Sequence, residues 1–397
     1  MDHKTNQDRH LYKIENMNKF VQLLILCYIC GACSLASERF GYQGEIACID
    51  IAVDITQSDP LSELKSCFAI KLEANENSVF GDIRRLRVTA DRIYILDSDI
   101  AESLFVFNRE GGFLFKVGRK GGGPGEYYSI NDFFIDTTRN EIIIYDANLR
   151  DLHYYNSEGN YIRTHSFKGM WSFACYPFDS THYALDFVRK PWSRNVFHLQ
   201  LVDQDNDVYF EYKKLKHDYH FVNNYHISFY NGISKTFYVP AFCDTIFAVS
   251  NSGIEGGYAV DFGKQKIPEE FFIGLKSEEY PVKLLKSTYC YGIKNVLETD
   301  KFLFFEFKYG NMGFPLTYNK ESEVTHIHIQ YLPMPLASYN NCFVGVLSSS
   351  LSEHIRSGQI EKKQCDDWRN AIGEANWNLL LSLKEEDNPL VFFYEFE

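Results

Sequence analysis

Several absences bound this chain before any motif is read. Proline is scarce, with only 11 in 397 residues, so the composition is poor in the residues that build disordered linkers. No long basic run occurs and the net charge is −13; an acidic body repels phosphates, which argues against nucleic acid as a partner. The nucleophile elbow GxSxG is missing, and no cysteine sits in a recognisable Cys/His context, so a serine or cysteine nucleophile has no motif. Beyond residue 32 no two cysteines stand at CxxC spacing, which leaves a zinc knot unsupported. What is abundant is aromatic: Phe and Tyr number 33 and 27, and aromatics make up 16% of the chain. Such a composition favours strands, and the expectation is a globular, strand-dominated protein.

The N-terminus reads as an export signal. Met17-Asn18-Lys19-Phe20 supplies a basic start, which makes Met17 the expected initiator, and the run "VQLLILCYICGA" follows. Twelve residues suit a signal h-region and are too few to span a bilayer. The run ends in "CGACS", where small residues before Cys33 resemble the lipobox of bacterial lipoproteins, although Cys30 stands where a Leu is usual. The resemblance implies a signal over 1–32, diacylation of Cys33, a tether over 33–44 and a body over 45–397. Removing 1–32 takes away four basic and three acidic residues, so the net charge moves from −13 to −14. Seven cysteines then remain besides Cys33, an odd and scattered set that does not form a disulfide framework.

The body carries a repeat. Ile93-Tyr94-Ile95-Leu96-Asp97 matches Ile142-Ile143-Ile144-Tyr145-Asp146 at an offset of 49, while Phe105–Asn108 matches His153–Asn156 at 48. Glu110-Gly111-Gly112-Phe113 matches Glu158-Gly159-Asn160-Tyr161, again at 48. Four short strands (A to D) with turn residues between them, recurring near this length, are the signature of a propeller blade. Fainter copies follow at 181–214, 235–263 and 300–330, and the remainder must provide a sixth. Within that last copy "CDDWRNAIGEANWNLLLSL" has helical spacing and predicts a helical insertion around Lys362–Leu383. The expected fold is therefore all-β, a six-bladed β-propeller of four-stranded antiparallel blades, with a strand near Ala47–Val53 pairing with C-terminal strands to close the ring.

Segments such as "GRKGGGPGEYYSINDFFID", "CDTIFAVSNSGIEGGYAVDFGK" and "LETDKFLFFEF" resemble the six-bladed propeller lipoproteins of bacteria, distant relatives of NHL-repeat proteins. Most members of that group have no assigned activity, so the resemblance implies the fold and a lipid-anchored place in the envelope, the outer membrane above all. It implies little about chemistry.

The glycine-rich stretch Gly118–Ile130 has three readings. A phosphate-binding loop needs Gly-Lys-Ser/Thr opening a helix, and here Gly125 precedes Glu-Tyr-Tyr and a strand. A linker is at odds with a repeat that runs through it. The third reading, a crossover from outer strand D of one blade to inner strand A of the next, uses the left-handed dihedrals that glycine permits. Strands A and C run opposite to B and D, so all D-to-A crossovers and B-to-C turns gather at one end of the ring. That end is the candidate binding face. Its predicted residues are Arg119, Lys120, Glu126 and Tyr127 from the glycine loop, Asp97, Asp99, Asp146, Asn148 and Arg150 from B-to-C turns, Arg189, Trp192 and Arg194 from the third blade, and Asn311 from the fifth.

Two chemistries compete at several of these positions. Asp97 and Asp146 are either Ca²⁺ ligands or short acceptors that cap turn amides. Trp192 between Arg189 and Arg194 is either a platform for sugars or peptides or a packed side chain. His326 and His328 share a strand face as two zinc ligands would, or are solvated on an outer strand. The favoured function is a binding module holding a glycan, a peptide or an envelope protein at the channel mouth, with no cofactor and no membrane contact beyond the lipid anchor. The alternative is an NHL-type lyase or hydrolase with Ca²⁺ or Zn²⁺ in the channel. It requires three or more convergent His, Asp or Glu side chains.

Overall fold

The computed structural model describes residues 44–51, 57–58, 64–187, 197–214, 227–275, 279–328 and 333–397. Cys33, Arg189, Trp192 and Arg194, and with them the signal and the lipid anchor, lie outside the described residues.

Three strands come first: β1 (Ile46–Asp50), β2 (Gln57–Ser58) and β3 (Leu64–Lys71). Blade 1 is β4–β7 (Arg85–Val88, Arg92–Asp97, Ser103–Asn108, Phe113–Val117). A small parallel pair, β8 (Arg119–Lys120) and β9 (Glu126–Tyr127), then leads to blade 2, β10–β13 (Asp132–Asp136, Glu141–Asp146, Asp151–Asn156, Tyr161–Ser166). Blade 3 is β14–β17 (Ala174–Pro177, His182–Asp186, Phe197–Asp203, Val208–Lys214), and blade 4 is β18–β21 (Phe229–Asn231, Thr236–Tyr238, Thr245–Ser250, Gly253–Asp261). After the short helix α1 (Tyr280–Leu285), blade 5 is β22–β25 (Cys290–Glu298, Phe302–Tyr309, Met312–Asn319, Thr325–His328). Blade 6 opens with β26 (Ala337–Tyr339) and β27 (Cys342–Leu347) and ends with β28 (Leu390–Phe396). Between β27 and β28 stand three helices, α2 (Ser349–Arg356), α3 (Lys362–Ile372) and α4 (Glu374–Leu381). Each blade is an antiparallel meander, and together they form a six-bladed β-propeller.

Burial follows from position in the blade. Strands B and C are covered on both faces by neighbouring blades, so Glu141–Asp146 is buried throughout, whereas the outer strand Phe113–Val117 alternates. Alternation divides each central strand between two neighbours. Ile142 and Ile144 join the cluster shared with blade 1, and Ile143 and Tyr145 the one shared with blade 3. Six such clusters fill the six gaps between blades, including the gap where Val391 and Phe393 of blade 6 meet Ile93, Ile95, Phe105 and Phe107 of blade 1. The ring is closed.

Its closure corrects one expectation. The strand at Ile46–Asp50 does not meet C-terminal strands; β1 runs parallel to β21 on the outside of blade 4. The closing strand is β3, which pairs antiparallel with β28 as the fourth strand of blade 6. Repeat order explains this. Every inner strand A is preceded by a crossover from a strand D, so the residues before the first A strand must be the D strand of the last blade. β2 likewise lies parallel to β25 on the outside of blade 5.

The helical insertion is broken where the sequence suggested one stretch. Gly373, at φ +81°, separates α3 from α4, and α2 precedes both. Trp377, Leu380 and Leu383 pack on Phe343, Phe392 and Phe396 of the last blade. Asn376 Oδ1 accepts the Ala69 N–H at 3.0 Å, tying α4 to the closing strand.

Candidate functional site

The channel has two mouths, and the structure furnishes them differently. At the crossover end the repeated aspartates have one local job. Asp97 Oδ2 accepts the N–H groups of Gly81 and Asp82, and Oδ1 those of Asp99 and Ile100, at 2.8–3.2 Å. Asp146 does the same with Tyr128 and Ser129 on one oxygen and Asn148 and Leu149 on the other, at 2.7–3.0 Å. Each carboxylate clips a D-to-A crossover to the B-to-C turn of the same blade. Burial alone would raise the Asp97 carboxyl, but the backbone donors hold it below its ordinary value. Both oxygens of each residue are engaged, which fits the capping reading of these positions. Asp186, the third residue of the series, is different: fully buried, it accepts Ser228 Oγ and, at 2.7 Å, Tyr238 Oη from blade 4. Burial pushes its carboxyl up to about 7 against these hydrogen bonds.

The glycine loop is a crossover whose charges pair with one another. Arg119 Nε donates to Glu126 at 2.6 Å, Lys120 Nζ to Glu102 at 2.6 Å, and the Gly123 N–H to Glu126 at 2.8 Å. Tyr127 is buried, its hydroxyl donating to the Glu102 carbonyl. Two glycines are obligatory here. At Gly118 (φ +61°) a Cβ would lie 2.6 Å from Tyr155 Oη, and at Gly125 (φ +73°) 2.5 Å from Tyr161 Cγ. The Gly123 N–H that an anion cradle would use is taken by the Glu126 carboxylate.

Around this mouth Asp99 and Asn148 are exposed, and Arg150 (φ +64°) stacks 4.5 Å over Trp171, itself 54% exposed. Asn311 sits in the B-to-C turn of blade 5. Asp99 also lines a cavity of about 180 Å³ with Arg84, Asn131, Asp132 and Tyr145. More prominent is the exposed apolar set at this end: Ile100, Tyr128, Leu149, Trp171, Ile273 and Met312, each between 41% and 70% accessible. All six stand in D-to-A crossovers or at B-to-C turns.

The opposite mouth holds a larger cavity, about 590 Å³, which sequence reasoning missed. It is lined by the ends of inner strands from blades 1, 4, 5 and 6, with Arg85, Arg87, Tyr230, Asn231, Glu298 and Tyr339 among its walls. Arg85 grips Asp132 of blade 2 through Nε and Nη2 at 3.1 and 2.9 Å, and reaches across the channel to the Phe229 carbonyl at 2.9 Å. Arg85 lines only the larger cavity and Asp132 only the smaller, so this ion pair stands between the two mouths. Burial would raise Asp132, but Arg85 and Arg87 hold it below its ordinary value. The available signal was "RRLRV" at 84–88: two arginines in an inner strand otherwise made of apolar residues, with a third just before it.

Among the described residues no group of three or more His, Cys, Asp or Glu side chains is placed to hold a metal. Cys67, Cys175, Cys290, Cys342 and Cys365 are free thiols. No described helix is long and apolar enough to cross a membrane.

Comparison with known proteins bears on the fold. A Bacteroides fragilis protein classed as exported superposes with a TM-score of 0.74 at 21% identity, covering 89% of this chain and 99% of that one. A member of the DUF4221 family from Bacteroides vulgatus gives a TM-score of 0.49 at 13% identity, over 84% and 97% of the two chains. No functionally curated protein matches the sequence. The family model for a domain of unknown function, DUF4934, matches residues 46–395, and the chain belongs to that family.

Proposed function

We propose that this protein is an exported, envelope-anchored binding module that docks a partner protein on the crossover end of its propeller. The observation that carries the reading is the apolar set at that end. Exposed large apolar residues gathered on one face of a soluble domain mark an interaction surface, and crossover loops on a rigid ring are suited to present one. Trp171 offers one free aromatic face, the other being covered by Arg150; Tyr128 extends the surface with a second exposed ring. A face this apolar favours a protein or peptide over a glycan, whose hydroxyls need convergent polar partners.

Export is supported by the signal-like first 32 residues and by the exported classification of the B. fragilis protein. The proposed anchor is lipid on Cys33 in the outer membrane. Chain direction adds an orientation. β1 runs parallel to β21, whose first residue follows a C-to-D turn, so Gly44 emerges at the end opposite the apolar face. Residues 33–43 can reach at most about 40 Å when fully extended. The membrane therefore adjoins the end opposite the docking face, which points away from it.

Photo-crosslinking in intact cells tests the reading. A benzoylphenylalanine at Tyr128 or Trp171 is expected to give one discrete adduct, and the same probe at Leu114 on an outer strand none. Absence of an adduct at both face positions, or equal labelling from Leu114, contradicts it. Cys33→Ser is expected to move the chain from the membrane to the soluble fraction.

A further inference from the structure

The larger cavity is lined by two arginines that share one counter-ion. Arg85 and Arg87 stand two apart on β4 and so share one strand face, and Asp132 is the acid nearest both. That carboxylate is taken by Arg85, whose two nitrogens bind both oxygens, and by the Phe133 N–H, which donates to Oδ1 at 2.8 Å. Arg87 approaches Oδ1 only to 3.6 Å. Its Nε and Nη2 are buried and have no hydrogen-bond partner, and its guanidinium lies 5.3 Å from the rings of Phe133 and Phe134. The other acids that line the cavity do not serve it. Glu298 accepts Lys320 Nζ at 3.1 Å and the Ile233 N–H at 3.0 Å, and Asp300 is an exposed residue at the rim. A buried charge without full pairing is among the most costly arrangements in a folded chain. Burial accordingly pushes the Arg87 guanidinium below its ordinary value, with Asp132 offsetting this only in part.

The walls above the arginines are those of a small-molecule site. Asn231, Ser338, Tyr339, Asn340 and Thr137 bring amide and hydroxyl groups to a space of about 590 Å³, within the roughly 300–1,000 Å³ typical of ligand pockets. We propose that this cavity binds a small organic carboxylate, its anionic end directed at Arg87 and its remaining polar groups met by the amides and hydroxyls of the rim. A carboxylate is the natural partner of a guanidinium, and it adds negative charge where the single Asp132 carboxylate is divided between two arginines. This site lies at the opposite mouth from the docking face and stands independently of it.

Calorimetric titration of the full chain with sodium glucuronate, sodium succinate and glucose, each at constant ionic strength, tests the proposal. Both carboxylates are expected to bind and glucose to give no heat. Arg87→Gln is expected to weaken carboxylate binding at least tenfold. Asn231→Asp, an exposed substitution that adds a negative charge at the rim, is expected to weaken it severalfold, and Arg119→Gln at the other end to leave it unchanged. Carboxylate heat no greater than that of sodium chloride at the same ionic strength overturns the proposal. So does affinity unaltered in both Arg87→Gln and Asn231→Asp; if Arg87→Gln does not fold, unaltered affinity in Asn231→Asp decides against it alone.

Discussion

Blade 2 and blade 4 are built from the same meander but finished in different ways. In blade 2 the Asp146 carboxylate collects four amides from within its own repeat, and four strands complete the sheet. Blade 4 carries a fifth strand, β1, from far upstream, and blades 5 and 6 take β2 and β3 from the same segment. One side of the ring is thus secured by short-range hydrogen bonds that recur with the repeat. The other is secured by chain from outside the repeat, laid along successive outer edges. Covering those edges protects them from pairing with other chains, and β3 also supplies the sheet partner that shuts the ring. Local devices and remote strands solve the same problem of holding blades together, at different distances along the sequence.

Substitutions can break either device. The largest effect is expected at the seam: Phe393 is fully buried between blades 6 and 1, with Phe68 stacked on it at 4.6 Å and Arg109 over it at 4.9 Å. Phe393→Ala is expected to cost about 3–5 kcal/mol in equilibrium denaturation, as large-to-small changes in cores do. Asp146→Ala strands four part-buried turn amides and is expected to cost about 1–2 kcal/mol, while Asn, which keeps one acceptor, costs less.

At the third position of the aspartate series the sign reverses. The Asp186 carboxyl has a folded-state pKa near 7 against an ordinary 3.8. Between those values the folded state holds a proton that the unfolded chain releases, so stability falls as pH rises from about 4 to 7 and is level above. Asp186→Asn removes this dependence and is expected to stabilise the fold at pH 8 by about 3–4 kcal/mol, read as a higher melting temperature, with little change at pH 4. An unchanged melting profile across that range counts against the buried neutral carboxyl. The smallest effect belongs to the exposed Arg119–Glu126 pair: Arg119→Gln is expected to leave the melting temperature unchanged, since solvent screens the pair.

The contrast between the two sides also explains what could be read in advance. The repeat offset of 48–49 is carried by strand B, strand C and the Gly-containing turns of blades 1 and 2, where local hydrogen bonding dictates residue type. Asn108 and Asn156 each cap their C-to-D turn by accepting amides two and four residues on, a pattern visible in "NREGG" and "NSEGN". The placement of β1 and β2 was not legible, because a short parallel strand on an outer edge is fixed by a partner some 200 or more residues away and by no local signal. The position of β3 follows from the order D then A, which requires a D strand before the first A strand. The crossover end was legible as a place, since alternation of strand direction requires it. Its apolar surface was not, because the exposure of Ile100 or Trp171 is set by tertiary packing and not by local residue pattern. The larger cavity was hidden for a different reason: Arg85 and Arg87 sit in a strand whose burial pattern reads as ordinary sheet, and their significance rests on Asp132 being shared across two blades.

Both mouths exist only if β3 completes blade 6. In the ring described here Ser66 lies directly opposite Glu395, their side chains in contact at 3.5 Å on an exposed part of the seam. The decisive measurement is therefore oxidative cross-linking of the double variant Ser66→Cys, Glu395→Cys, mapped by mass spectrometry after proteolysis. A near-complete 66–395 disulfide, with none in the Ala47→Cys, Glu395→Cys control, is the predicted result; the reverse would show that the ring is closed by another strand, and both channel mouths would have to be redrawn.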